Sequence, residues 1–211
     1  MSFMVLAGCG PLSEKLNQKG VEEFNRKDYG AARRLFQRAL FLNKARSSFH
    51  NNLGYDYYFL KEYDKADGEF AQALSGGTDA ALLRQVRINQ AILYGDSRVP
   101  LTPEHKGWIG KAEGILKELL AAEPDNAEYH MRLGFVYFRD ANPGGGFQEL
   151  NQAVRWAVPK TVAQYSSDPV QGSLLILQQI HQFYIHAGLL QRAGLVQKRM
   201  SGLEKSQNPI R

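Results

Sequence analysis

The residues of this chain whose types could do chemistry are five histidines, one cysteine, a few neighbouring carboxylates and a glycine triplet. His50, His105, His130, His181 and His186 could ligate a metal or carry protons, but none stands in an H-E-x-x-H arrangement. His181 and His186 are five apart on one predicted helix, which swings them off a common face. Glu22 and Glu23 are adjacent on a predicted helix and diverge; Glu62 and Asp64 fall in a turn open to water. Neither pair predicts an enclosed acid–base pocket. Cys9 has no histidine near it in sequence, and no G-x-S-x-G elbow occurs. Gly144-Gly145-Gly146 invites a phosphate-loop reading, but no Lys-Ser/Thr follows and no strand pattern precedes it. Asn142–Gly146 is therefore read as a turn bent by Pro143 and Gly144, with Gly146 as a small contact residue. The residues predict a protein that is not an enzyme and uses neither cofactor nor metal.

The elements that carry these residues are organised around Ser47–Leu74. Leu53, Gly54 and Tyr57 share a helical face, and Gly54 leaves room for a second helix to approach. Ala66 and Ala73 give that second helix two close-contact points, with Phe70 filling the gap between them. Gly20, Phe36 and Ala39 stand 34 residues before Gly54, Phe70 and Ala73, and Ala112 and Leu116 stand 34 before Gly146 and Leu150. Leu133, Gly134 and Tyr137 repeat Leu53, Gly54 and Tyr57 eighty residues on. This pattern resembles the tetratricopeptide repeat, a helix–turn–helix unit of about 34 residues. The resemblance implies an all-α fold, a tetratricopeptide-repeat superhelix (α-solenoid) of about four repeats plus a C-terminal capping helix pair, and a scaffold that binds other proteins.

Taken in order, Ser13–Leu42 is the first repeat, with Ser13 a candidate cap, and Ser47–Leu74 the second. Ala80–Tyr94 is a less regular first helix that sets Asn89 in the place of Asn52. An enlarged loop, Gly95–Leu101, serves a partner or has drifted neutrally. Thr102-Pro103-Glu104 then reads as the start of a helix running to Ala122. Asn126–Ala157 is the fourth repeat, Val158–Ser167 a linker, and Asp168–Glu204 the capping pair. Residues 11–205 form the repeat domain, and 206–211 are a disordered tail.

Hydrophobic content of 44% suffices for a core, and no apolar run is long enough to cross a bilayer as a helix. The net charge of +5 is concentrated from Pro159 onward, where six basic residues meet two acidic ones. A basic solvated tail accounts for that asymmetry, and an anionic partner or membrane surface would also suit it. Basic residues are not interleaved with aromatics, so nucleic acid is not an expected partner. One cysteine excludes an internal disulfide.

Leu6-Ala7-Gly8-Cys9 resembles the lipobox of bacterial lipoproteins, in which the thiol after the cleavage site is lipidated. The resemblance implies that residues 1–10 are the remnant of a signal peptide and that Cys9 anchors the protein to a membrane. Gly10, in place of the Asp of an inner-membrane retention signal, implies the outer membrane, facing the periplasm. No basic n-region precedes the motif and the apolar run is short, which a misplaced start codon would explain. Otherwise Cys9 is incidental and the protein is a cytoplasmic adaptor. In layout the chain resembles pilotin-like lipoproteins of pilus assembly and outer-membrane adaptors of peptidoglycan enzymes.

The expected binding surface is the concave inner wall, lined by outward positions of each first helix. In the second repeat these are Asn51, Asn52, Tyr55, Tyr58 and Phe59; in the fourth, Glu128, Arg132, Phe135, Phe138 and Arg139. Aromatics offer area to a protein or peptide segment in the groove, and Asn and Arg bond its main chain or carboxylates. Tyr58 and Phe138 could instead pack against neighbouring helices. The family's carboxylate clamp is matched only at Asn52 and Asn89, since Asn17 and Val21 stand where Lys and Asn are wanted.

Overall fold

A computed structural model describes residues 6–164 and 166–207, and among them every regular element is an α-helix. They fall into two compact units, Met1–His105 and Lys106–Arg211. The first holds α1 (Leu6–Asn25), α2 (Tyr29–Leu42), α3 (Ser47–Phe59), α4 (Tyr63–Gly76) and α5 (Ala80–Gly95). The second holds α6 (Trp108–Ala122), α7 (Ala127–Arg139), α8 (Pro143–Trp156), the single turn α9 (Pro159–Val162), α10 (Pro169–His186) and α11 (Leu190–Gln207). Within each unit, consecutive helices pack on one another: α1 on α2, α3 on α4, α7 on α8, α10 on α11.

The small residues of the repeat do what their spacing requires. A Cβ on Gly54 would come within 2.8 Å of the Phe70 ring, and one on Gly20 within 2.6 Å of Phe36. In the second unit a Cβ on Gly134 would meet Leu150 at 2.8 Å. Ala32, Phe36, Ala39, Ala66, Phe70, Ala73, Leu150 and Ala153 are all buried. The second unit's core adds Met131, Leu177, Ile180 and Tyr184, covered by Ala193, Val196 and Met200 of α11. Burial of each large apolar side chain contributes roughly 1.5–3 kcal/mol.

Each helix pair turns on the same backbone device. Lys27, Lys61, Ala141 and Gly188 have φ of 65°, 62°, 56° and 70°. The amide that follows each reaches back to a carbonyl of the preceding helix: Glu62 to Tyr57 at 2.9 Å, Asn142 to Tyr137 at 2.8 Å, Leu189 to Tyr184 at 2.8 Å. This left-handed cap satisfies carbonyls that the helix end leaves open and reverses the chain in a few residues.

Four local expectations are corrected. Ser13 is not a cap: it lies buried inside α1, and its hydroxyl donates to the Gly10 carbonyl at 2.8 Å. Thr102-Pro103 does not start a helix; 102–107 is a series of turns, and α6 begins at Trp108. The reason is His105, whose ring is held by the Asp64 carboxylate and the Pro100 carbonyl. The glycine triplet is the first turn of α8, capped by Asn142, which accepts from the Gly145 amide at 3.0 Å. The linker 158–167 contains α9, which buries Val162. Of the expected tail, Ser206 and Gln207 end α11, and the rest lies outside the described residues. The backbone of Leu6–Cys9 begins α1, while the Cys9 side chain also lies outside them.

Candidate interaction surface

In the first unit, α3 sets Asn51, Asn52, Tyr55, Tyr58 and Phe59 on one face at helical spacing. Asn52 Nδ2 donates to Asn17 Oδ1 of α1 at 2.9 Å. Asn51 Oδ1 accepts from Asn89 Nδ2 of α5 at 2.9 Å, and Asn89 Oδ1 accepts from Gln85 at 3.2 Å. Three first helices are thus joined by side-chain amides. An amide offers two donor hydrogens and two acceptor lone pairs, so these bonds use only part of its capacity. Beside them runs a sheet of half-buried rings. Phe24 of α1 lies 5.5 Å from Tyr55 and 5.2 Å from Phe59, and Tyr29 of α2 stacks on Phe59 at 5.1 Å.

Tyr58, on the same face, is taken by the chain itself. Its hydroxyl donates to Asp96 and accepts from Arg98, whose guanidinium lies 5.5 Å above the ring. Burial and the Asp96 bond push the Tyr58 phenol up. Burial opposes the Asp96 carboxylate, but bonds from Arg98 and Tyr58 outweigh it and hold Asp96 below its ordinary value. The enlarged loop therefore folds back on α3. Val99 is buried, and the Tyr63 hydroxyl reaches the Arg98 carbonyl at 3.5 Å. His105 closes the stretch, with Nε2 at 2.8 Å from Asp64 and Nδ1 at 3.0 Å from the Pro100 carbonyl. Sequence reading missed this anchoring, because Asp96, Arg98 and His105 lie about forty residues from Tyr58 and Asp64 and match no repeat position.

In the second unit, α7 presents Arg132, Phe135, Phe138 and Arg139. Arg132 Nε donates to Glu128 at 2.9 Å, one turn earlier. Phe135 and Phe138 lie on Phe183 of α10 at 5.1 and 4.7 Å, and Phe138 meets Phe147 edge-on at 4.9 Å. Arg192 of α11 covers Phe147 at 4.2 Å. Both phenylalanines are partly buried against the core, and Arg139 is half-buried. The amides and rings of α3 thus belong to the first unit, and Arg132, Phe135 and Arg139 to the second.

Three histidines have both ring nitrogens against acceptors. His50 Nδ1 lies 2.6 Å from Glu69 and Nε2 2.9 Å from the Lys44 carbonyl. His130 repeats this with Glu149 at 2.6 Å and the Pro124 carbonyl at 2.9 Å, and His105 does the same with Asp64 and Pro100. A ring facing two acceptors makes both bonds only when doubly protonated. Burial pushes the His130 imidazolium down, but the Glu149 carboxylate and Pro124 carbonyl hold it above its ordinary value; His105 is raised in the same way by Asp64 and Pro100. The signal for the first two was in the sequence. His50 and His130 are eighty apart, and so are Glu69 and Glu149, the displacement already seen at Leu53 and Leu133. Among the described residues no group of three His, Cys, Asp or Glu side chains is placed to hold a metal ion, and no helix is long and apolar enough to cross a membrane.

No protein-family model and no curated protein matches the sequence. Solved structures do match the fold. The 41-end fragment of MamA from Desulfovibrio magneticus RS-1 is 16% identical with a TM-score of 0.59, covering 93% of this chain and 97% of that one. TTC0263, a thermophilic tetratricopeptide-repeat protein from Thermus thermophilus, is 20% identical with a TM-score of 0.54, over 87% and 98% of the two chains. A tetratricopeptide-repeat protein from Parabacteroides merdae is 18% identical with a TM-score of 0.55, over 92% and 73%. The likeness is one of fold: this chain has the all-α tetratricopeptide-repeat fold.

Proposed function

We propose that the protein is an interaction scaffold and that the joined face of α1, α3 and α5 in its first unit takes an extended segment of another protein. The observation that carries this reading is the amide array Asn17–Asn52 and Asn51–Asn89–Gln85 beside the rings of Phe24, Tyr55 and Phe59. Asn51 and Asn89 are buried and brace the array; Asn17, Asn52 and Gln85 reach the surface, where amides with bonding capacity left over suit a peptide main chain, whose N–H and C=O groups alternate. Rings beside them supply area that needs no particular partner side chain. In the second unit Arg132, Phe135 and Arg139 are the corresponding candidates, with Arg132 and Arg139 favouring acidic segments.

The test is capture of partners from the native host by wild type and by Asn52→Leu/Tyr55→Ala, with Phe41→Ala as control. Phe41 is 79% exposed on α2 and belongs to no part of this face. Loss of a true aromatic anchor costs about 2 kcal/mol, roughly thirtyfold in affinity. The double variant should lose partners that the control keeps; equal capture by all three would reject the reading.

A second reading concerns place. The lipobox-like Leu6-Ala7-Gly8-Cys9 favours a lipid anchor at Cys9, and with it a scaffold that helps assemble an envelope complex such as a pilus or secretion apparatus. Expressed with its genomic upstream sequence, the protein should then partition with membranes, and Cys9→Ala should release it. An intact Met1 on native material would reject the anchor and leave the cytoplasmic adaptor.

A further inference from the structure

The first unit contains a carboxylate that neither repeat packing nor the binding face accounts for. Asp56 on α3 has no exposed surface, and among the described residues neither of its side-chain oxygens has a hydrogen-bond partner. Its counterpart eighty residues on is Val136, also buried. In the first repeat, 34 residues earlier, the same position is Glu22, which is exposed; only in the second repeat is an acid at this position buried. The charged groups that act on Asp56 are Arg33 of α2 and Glu62, which precedes α4. These two are paired with each other at 2.8 Å, and Glu62 is also bonded by Lys65.

We propose that Asp56 is a proton-operated joint between α2 and α3, closed when the side chain is a neutral acid and loosened when it is a carboxylate. As an acid, Asp56 carries no charge and leaves Arg33 to Glu62, so α2 stays tied to the α3–α4 turn. As a carboxylate without a hydrogen-bond partner it must draw in water or compete with Glu62 for Arg33. Either response disturbs the packing of α2 on α3. The face that α3 presents to α1, Asn52 with Asn17 and Tyr55 and Phe59 with Phe24, moves with it. The consequence for binding rests on the function proposed above; the joint itself does not.

The direction of the effect follows from linkage. Burial raises the Asp56 carboxyl from its ordinary 3.8 to about 7, with Arg33 lowering it and Glu62 raising it by lesser amounts. Between those limits the folded chain keeps a proton that the unfolded chain has released. Stability falls as pH rises through this window and levels off above about 7.

The decisive measurement is the carbon-13 titration of the Asp56 carboxyl in the full chain. A midpoint near neutrality is expected, and one in the ordinary carboxylate range would overturn the proposal. Thermal melts give the second arm. Asp56→Asn keeps the shape without the charge, and Asp56→Val copies the second unit. Wild type should lose several degrees of melting temperature relative to Asp56→Asn between about pH 5 and 7.5, with a constant gap above. Parallel curves would sink the joint. If both variants fold poorly, the wild-type titration still decides. None of these readouts involves a partner, so failure of the binding proposal would leave them untouched.

Discussion

At Lys27, Lys61 and Ala141 a side chain occupies a left-handed backbone position that suits glycine, as Gly188 shows in the last pair. That conformation costs an L-residue roughly 1–2 kcal/mol. Ala141→Gly should relieve the strain, offset in part by the looser unfolded chain, for a net gain of up to about 1 kcal/mol in denaturant titration. His130 gives the complementary prediction. Its folded value is raised, so its contribution is complete below the ordinary 6.5 and is lost as pH rises through the folded value. His130→Gln should be less stable than wild type at about pH 6, with a gap that narrows by about pH 8 in urea unfolding.

Helix pairing depends on contacts that one methyl group would close. A Cβ at Gly54 meets the Phe70 ring at 2.8 Å and the Ala66 carbonyl at 3.2 Å, so neither side can yield cheaply. Gly54→Leu should force α3 and α4 apart and cost roughly 1–3 kcal/mol in thermal or urea melts. The stretch from Asp96 to His105 is pinned at both ends and at the buried Val99. Asp96→Ala removes one pin and frees Arg98 from its carboxylate. Trypsin should then cut after Arg98 sooner than in wild type, while the helices stay folded by circular dichroism. An unchanged cutting rate would mean that Tyr58 and Val99 hold the loop without Asp96.

Across the molecule, groups with shifted values that titrate in or below the neutral range divide by sign. Asp56, His105 and His130 are all raised, and each withdraws stability as pH climbs through its own window. Asp96 is lowered, as is Glu113 of α6, whose carboxylate accepts from Lys117 at 2.7 Å, and their contributions are lost only as pH falls through the carboxylate range. The stability maximum should therefore lie at the acid end of the usual window of about pH 5–8. Melting temperatures measured across that window check it; a maximum on the alkaline side would contradict the assignment.

The sequence by itself determined the repeat: its helix pairs, its 34-residue step, and the close approaches at Gly20, Gly54 and Gly134. Those features rest on local spacing, where a missing Cβ and a large apolar side chain sixteen residues later must meet if two helices pair. The recurrence of His50 and Glu69 at His130 and Glu149 was legible for the same reason. What only the tertiary structure decided involves partners brought together from outside one repeat. Tyr58 is engaged by Asp96 and Arg98, Phe135 and Phe138 lie on Phe183, and His105 stops α6 from starting at Pro103. Asp56 shows the limit most sharply. Its identity was plain in the chain, but its burial follows from how α3 is packed among its neighbours, and a buried acid behaves differently from one in water.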